Sequence, residues 1–388
     1  MPAEHAERGA SDSSRATQLD RILMGIANGK GRDRARTYIA GLHGEQTRKS
    51  VASIAQSSHP TDRLRLQRFL TGDACADHLL WDQLALEADG LVGGDRACLV
   101  VEDLALLKKG TSSVGVARQV DSSTGRRSNF QVLVSLSLSS RGKCVPVALR
   151  LVLPREWIDD RSRRLAAGIP EESGSADGPA GYENDKIVLK EIKRLLDLGV
   201  RFGVVVAPSR YNNDYFRGVL AGWNLKWVLQ ISEDEAFYPR KYASSTKGKS
   251  REVVEFEAKP QRAVDIIQRD SGQQMSRCHW SKEYEPIIAK FQEVSQSGPE
   301  CRTDSGRRVW VWMQLSGTGR LEHYMSNLPP NTVKVRLVDA VRNRWICREF
   351  IQRLRTEFGL ADYQGRSWVG LHRHALMVCL AALQAHPS

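Results

Sequence analysis

The sequence predicts a mixed α/β protein, and three observations carry that expectation. Residues from about 18 to 92 repeat apolar side chains three and four apart. From about 93 the pattern changes to short, alternating, β-rich runs. From Lys186 onward helical and strand patterns alternate, and the chain closes on a helical section.

The elements follow in order. "LDRILMGIA", "RARTYIAGLHG" and "LRLQRFL" carry the helical period, with Gly41 and Gly44 expected at one helix end and "SHPTD" as a turn. "ACLVVED", "SSVGVARQV", "FQVLVSLSLSS" and "CVPVALRLVLP" read as consecutive strands of an antiparallel meander, with Val132, Val134, Leu136 and Leu138 on one face. "SGSADGPAGYEND" is an exposed loop. "KIVLKEIKRLLDLG" is a helix ending at Gly199, which leads into the strand "RFGVVVA". The helix "DYFRGVLAGWN" then precedes the strand "LKWVLQIS". Residues from 233 to about 330 read as a basic, β-rich insertion that includes "RRVWVWMQLSG". Two helical stretches complete the chain.

The composition narrows the function classes. The longest apolar tract near the C-terminus, "ALMVCLAAL", is too short to span a bilayer. The polar first eighteen residues lack the apolar stretch of a secretory signal, so a cytoplasmic location is expected. Seven scattered cysteines form no C-x-x-C pair and have no histidine at zinc-ligand spacing, which favours reduced, buried thiols. The formal net charge of +12 points to a polyanionic partner. Seven Lys or Arg against two acids lie between Arg21 and Ser50. Between Lys334 and His374 there are nine against four, with two histidines. On electrostatic grounds the partner is nucleic acid.

Six motifs then carry a family resemblance: "VVEDLALLKKGTSSVGVARQ", "NFQVLVSLSLSS", "PVALRLVLPREW", "RRLAAGIPEE", "YMSNLP" and "EFGLADYQGRSWVGLHRHALMVCLA". In this order they resemble the DDE transposases of bacterial insertion sequences, in the branch whose first acidic strand runs into a K-K-G turn. The resemblance implies an RNase H-like core with a β-rich insertion before the last catalytic residue. It also implies two Asp and one Glu holding two divalent metals at the scissile phosphate. The expected divisions are a disordered tail over 1–17, a helical DNA-binding domain over 18–92 and the first part of the core over 93–232. The insertion over 233–330 and C-terminal helices over 331–388 follow.

Carried over residue by residue, the resemblance keeps one acid and loses two. Asp103 in "VVEDLAL" stands where the family has an acid at a strand end, although Leu104 and Leu107 replace the family's Thr and Pro. At the second position the family has Ala-Asp, a small residue and Gly-Tyr-Gly. Here Ala207 and Tyr211 remain, Arg210 and Asn212 replace glycines, and Pro208 occupies the seat of the acid. Proline offers neither a side-chain ligand nor a backbone N–H. At the third position Arg344-Trp345 and Arg355 match, and counting between them places Arg348 on the seat of the Glu. Positions 344, 348 and 355 lie within about 40° on an ideal helix, which predicts an arginine face with Glu349 rotated away by roughly 100°. Arg348 is expected to replace the metal's charge and to pair with Asp103.

These residues predict a transposase-like protein with a degenerate site, catalytically inactive and repurposed, that retains DNA binding or a protein-interaction role. No cofactor is expected. The partners are DNA, with a protein partner or a second copy as a further possibility, and no membrane. Lys108, Lys109, Arg344, Arg348, Arg353, Arg355 and Arg366 are the candidate DNA contacts, and Trp157, Trp345 and Trp368 are packing residues. Two alternatives stand beside this reading. One is an active, magnesium-dependent enzyme with relocated ligands, Asp103 with Glu102, Asp214 or Glu349, although Asp214 also suits a helix N-cap. The other is a different chemistry in the emptied pocket, for which Cys347, Cys278-His279, His372 and His374 are the reactive groups.

Overall fold

The computed structural model describes residues 18–58, 62–72, 76–120, 125–174, 183–241, 255–256, 259–269, 276–278, 287–295, 308–315, 321–329 and 331–385. The tail over 1–17, the loop residues 175–182 and most of "KYASSTKGKSRE" lie outside them. The fold is mixed α/β, and the chain divides into two compact units. One comprises residues 1–94, 102–201 and 346–388, and the other 95–101 and 202–345.

In the first unit, a helical turn at 18–23 precedes α1 (Gly29–His43), α2 (Val51–Ser58), α3 (Asp62–Thr71) and α4 (Asp77–Val92). Asn28 caps α1 by accepting the Gly31 N–H at 2.6 Å. Gly44 is the C-cap. Gly41, expected at that end, lies inside α1. A Cβ there would sit 2.3 Å from Ile54 Cγ2, so glycine is needed for the close approach of α2.

The strands of this unit are the second half of β1 (Gly94–Lys108), β2 (Ala117–Val120), β3 (Arg127–Ser140) and β4 (Lys143–Val152). β3 pairs antiparallel with both β2 and β4. The expected meander is corrected in one respect: the neighbour of β1 is β3, not β2. β2 is only four residues long and pairs with the first residues of β3. Two short helices, α5 (Arg155–Asp159) and α6 (Arg161–Ala167), and the longer α7 (Glu183–Asp197) follow. Gly199, with φ +76°, closes α7 in a left-handed turn, as the sequence predicts.

The core of this unit forms around its last helix, α11 (Trp368–Gln384), whose residues from Ala375 to Leu383 are all buried. A helix apolar on every side needs partners all round. α11 finds them in α1, α3, α4 and β4. Each leucine-sized side chain buried there contributes about 1.5–3 kcal/mol. This packing accounts for the grouping of residues 18–92 in one compact unit with 102–201 and 346–388.

Polar side chains lock the same helix. The Arg373 guanidinium, 1% exposed, donates to Asp77 Oδ1 at 2.8 Å, to Gly72 O at 2.6 Å and to Phe69 O. It thereby satisfies carbonyls at the end of α3 that have no partner within the helix. Glu191 is also buried, between Arg150 (2.7 Å) and Arg194 (2.8 Å), and the two guanidiniums hold its carboxyl below the usual range. Arg194 continues the network to Asp82 at 2.7 Å, joining α4, β4 and α7.

In the second unit, β5 (Phe202–Ala207), α8 (Asp214–Gly222) and β6 (Trp227–Ile231) form a parallel crossover beside the first half of β1. The strands of the expected insertion extend this same sheet. β13 (Leu321–Ser326) pairs with β6, and β12 (Arg308–Leu315) with β13. β11 (Ile287–Ser295) then pairs with β12 and β7 (Ala236–Lys241) with β11, all antiparallel. The small strands β8 (Glu255–Phe256) and β9 (Gln261–Arg262) pair with β7, and β10 (Ser276–Cys278) pairs with β11. α9 (Ala263–Arg269) and the first half of α10 (Lys334–Thr356) complete the unit. Among the described residues no helix is long and apolar enough to cross a membrane.

Candidate functional site

β1 continues past its apolar centre to Lys108, so Asp103 lies inside the strand and not at its end as expected. Glu102, Leu104, Leu106 and Lys108 are buried, whereas Asp103 is half-buried and Ala105 and Leu107 are exposed. This alternation puts Glu102 and Asp103 on opposite faces of the strand. The β3 neighbour supports the position, with Ser135 Oγ donating to Glu102 O at 3.3 Å.

Arg348 belongs to the C-terminal part of α10. Its Nε lies 3.4 Å from Glu102 Oε1, with side-chain exposures of 45% and 8%. The arginine thus reaches the acid adjoining the one that was expected. The distance is that of an ion pair and exceeds the 2.7–2.9 Å of a short charge-assisted hydrogen bond. Glu349, next along the helix, is exposed.

The predicted arginine face of α10 is not a single surface. Arg344, in the second unit, is fully buried and donates to Gln230 Oε1 at 2.9 Å and to Tyr324 Oη at 3.4 Å. It lies on the buried stripe with Leu337, Val341 and Cys347, so helical phase carries it into the interior. Arg344 is therefore corrected from a DNA contact to an internal anchor. Lys108 is corrected in the same way. Its ammonium is buried and donates to Ala361 O at 2.9 Å and Tyr363 O at 2.7 Å, and burial pushes its pKa down to about 8. Lys109, Arg353 and Arg366 are exposed and Arg355 half-buried. Arg353 pairs with Glu357 at 3.0 Å.

Pro208, in the second unit, ends β5 in extended conformation (φ −68°, ψ 165°) and opens the short turn Ser209–Tyr211. Tyr211 is fully buried against Phe216, with ring centroids 5.4 Å apart. Asp214 is not the N-cap of α8. Asn213 takes that role by accepting the Phe216 N–H at 2.9 Å, while the exposed Asp214 pairs with Arg217.

The groups considered for a different chemistry serve packing. His372 donates from Nδ1 to Trp368 O at 2.9 Å and accepts the Leu151 N–H at Nε2. His374 donates from Nε2 to Gly359 O at 3.1 Å and accepts from Tyr38 Oη at Nδ1. A carbonyl only accepts, so each ring has one defined neutral tautomer. Burial lowers both pKa values to about 4. Cys347 is buried with its Sγ 3.0 Å from that of Cys144, and Cys98, Cys144, Cys347 and Cys379 are all buried and outside any disulfide. Cys278 lies in β10, and His279 lies outside the described residues. The fate of the tryptophans agrees with packing at Trp157, whose indole N–H donates to Val116 O at 2.9 Å.

A pair of divalent metals needs converging carboxylates. Among the described residues no group of three or more His, Cys, Asp or Glu side chains converges. The donor set at Asp103 therefore does not fit a metal pair. Sequence reasoning named Glu102 only as a relocated ligand and missed its pairing with Arg348. Its buried face was encoded in the alternation with Leu104 and Leu106, but the strand's extension to Lys108 was needed to reveal it.

No curated protein matches the sequence. A cryo-EM structure of a piggyBac transposase synaptic complex with hairpin DNA is similar over 92% of this chain and 65% of that chain, at 8% identity and a TM-score of 0.42. The chain thus spans less than two thirds of that protein's length. The family described as DDE superfamily endonuclease matches residues 23–287, a span that includes Asp103 and Pro208 and ends before Arg348. With most of its sequence inside that match, the chain belongs to the DDE superfamily endonucleases.

Proposed function

We propose that this chain is a cytoplasmic, DNA-binding member of the family that has lost metal-dependent strand cleavage and serves a repurposed role. The observation that carries the reading is the Arg348–Glu102 ion pair beside Asp103. A guanidinium at the family's third acid position places positive charge where a divalent cation would need negative charge. Pro208, at the second position, adds no ligand. The excess of basic residues and the exposed Lys109, Arg348 and Arg366 support a polyanionic partner.

Titration of manganese(II) into the wild type and Asp103→Ala by electron paramagnetic resonance tests the loss. No Asp103-dependent binding is expected, and magnesium is expected to leave supercoiled plasmid uncut. Tight binding abolished by Asp103→Ala, with plasmid nicking, would instead establish the relocated-ligand reading, in which Glu102 turns from Arg348 to the metal.

A further inference from the structure

A second basic feature lies wholly within the first unit, away from Asp103 in sequence. A cleft of about 580 Å³ opens between the β2–β3 hairpin and the short helices α5 and α6. Its lining includes Arg118, Arg127 and Arg163, with Thr111 and Asn129 as neutral polar groups. Glu156 is the one carboxylate among the lining residues, so three guanidiniums face a single negative charge.

The strand register concentrates that charge. Arg118 lies opposite Asn129, and Val120 opposite Arg127. Opposed residues of an antiparallel pair share a face, so Arg118 and Arg127 are diagonal neighbours on one side of the hairpin. Neither takes an ion-pair partner among the described residues, and like charges that are neighbours across a strand pair repel each other. The third arginine is held in place. Asp160 caps α6 by accepting the Arg163 N–H at 2.9 Å, and Arg163 Nη2 donates to Thr111 O at 2.8 Å. The guanidinium lies 3.8 Å from the Trp157 ring, and Trp157 is itself anchored on Val116 O. A stacked, tethered guanidinium loses little freedom on gripping a tetrahedral oxyanion.

We propose that this cleft binds a backbone phosphate of a nucleic-acid strand through Arg118, Arg127 and Arg163. The assignment rests on the DNA-binding reading above and gives it a location in the β2–β3 hairpin, next to the turn that carries Lys109. Phosphate chemistry is shared by a DNA backbone and by free phosphate or nucleotides, and the test separates these sources.

Fluorescence anisotropy with a fluorescein-labelled duplex of random sequence, read across a salt series, compares three proteins. These are the wild type, the double variant Arg118→Gln/Arg127→Gln, and the control Lys143→Gln/Lys190→Gln, which removes the same charge from exposed positions elsewhere. The double variant avoids Arg163, whose packing on Trp157 supports the local fold. The slope of log affinity against log salt is expected to fall by about one in the double variant, for the one phosphate that the cleft no longer neutralises. The control is expected to retain the wild-type slope. Binding by the wild type with equal slopes in both variants overturns the assignment alone. No binding by the wild type overturns the DNA-binding reading and the assignment with it. Displacement of the duplex by millimolar inorganic phosphate or ATP through the same arginines also overturns it, in favour of a small-phosphate site.

Discussion

Arg348 and Glu102 meet at 3.4 Å, a half-exposed guanidinium on α10 over a carboxylate that β1 holds almost wholly out of water. The two are unequal partners. Water screens the arginine, whereas the glutamate is buried beside it. Arg348→Ala is therefore expected to destabilise the protein by about 1–2 kcal/mol, a cost moderated by the partial solvation of the pair. Adding Glu102→Gln should restore most of the loss. Urea denaturation of the two single variants and the double variant measures the coupling.

The two buried histidines predict an acid-sensitive fold. Each has a pKa near 4 in the folded state, against about 6.5 when unfolded. Between these values the unfolded chain binds more protons, so stability falls as pH drops from about 6.5 toward 4. The contribution is fully present above pH 6.5. Replacing His374 by Gln is expected to flatten the pH dependence of urea stability in that window, at a constant cost from the changed contacts with Tyr38 and Gly359.

Lys108 and Lys109 adjoin in sequence and are expected to behave oppositely. Lys109→Gln removes an exposed charge and should lower the salt slope of duplex binding by about one, with stability changed by less than about 0.5 kcal/mol. Lys108→Met leaves the Ala361 and Tyr363 carbonyls without their donor and should cost about 1–3 kcal/mol, while the salt slope stays that of the wild type. Salt-dependent anisotropy and urea denaturation on both variants distinguish the two roles.

Arg373→Met is expected to be the most damaging of these changes, at about 3–5 kcal/mol. It strands Asp77 and the terminal carbonyls of α3 together. Hydrogen exchange should show lost protection first in α3 and at the start of α4. Uniform loss across the unit at no more than about 1 kcal/mol would contradict a clamp.

Legibility in the sequence followed the range of the interactions involved. The helical period of 18–92 and the strand alternation of "FQVLVSLSLSS" are local properties, and both elements formed as expected. The four-residue length of β2, the pairing of β1 with β3 and the insertion's extension of the β6 sheet depend on distant chain and were not legible. At the site, counting along the motifs of the resembled family singles out Pro208 and Arg348 as the residues proposed for its second and third acid positions. The partner of Arg348 could not be read in this way.

The sequence by itself determined the alternation of helices and strands, the excess positive charge, the family and the chemical identity of each side chain. The tertiary structure alone decided which charges face water. Lys108 meets carbonyls more than 250 residues away in the chain, and Arg344 reaches Gln230 across 114 residues. A side chain's charge belongs to its own atoms. Its solvation and its partner belong to whatever the fold packs against it, and those contacts separate an internal anchor from a charge left facing water.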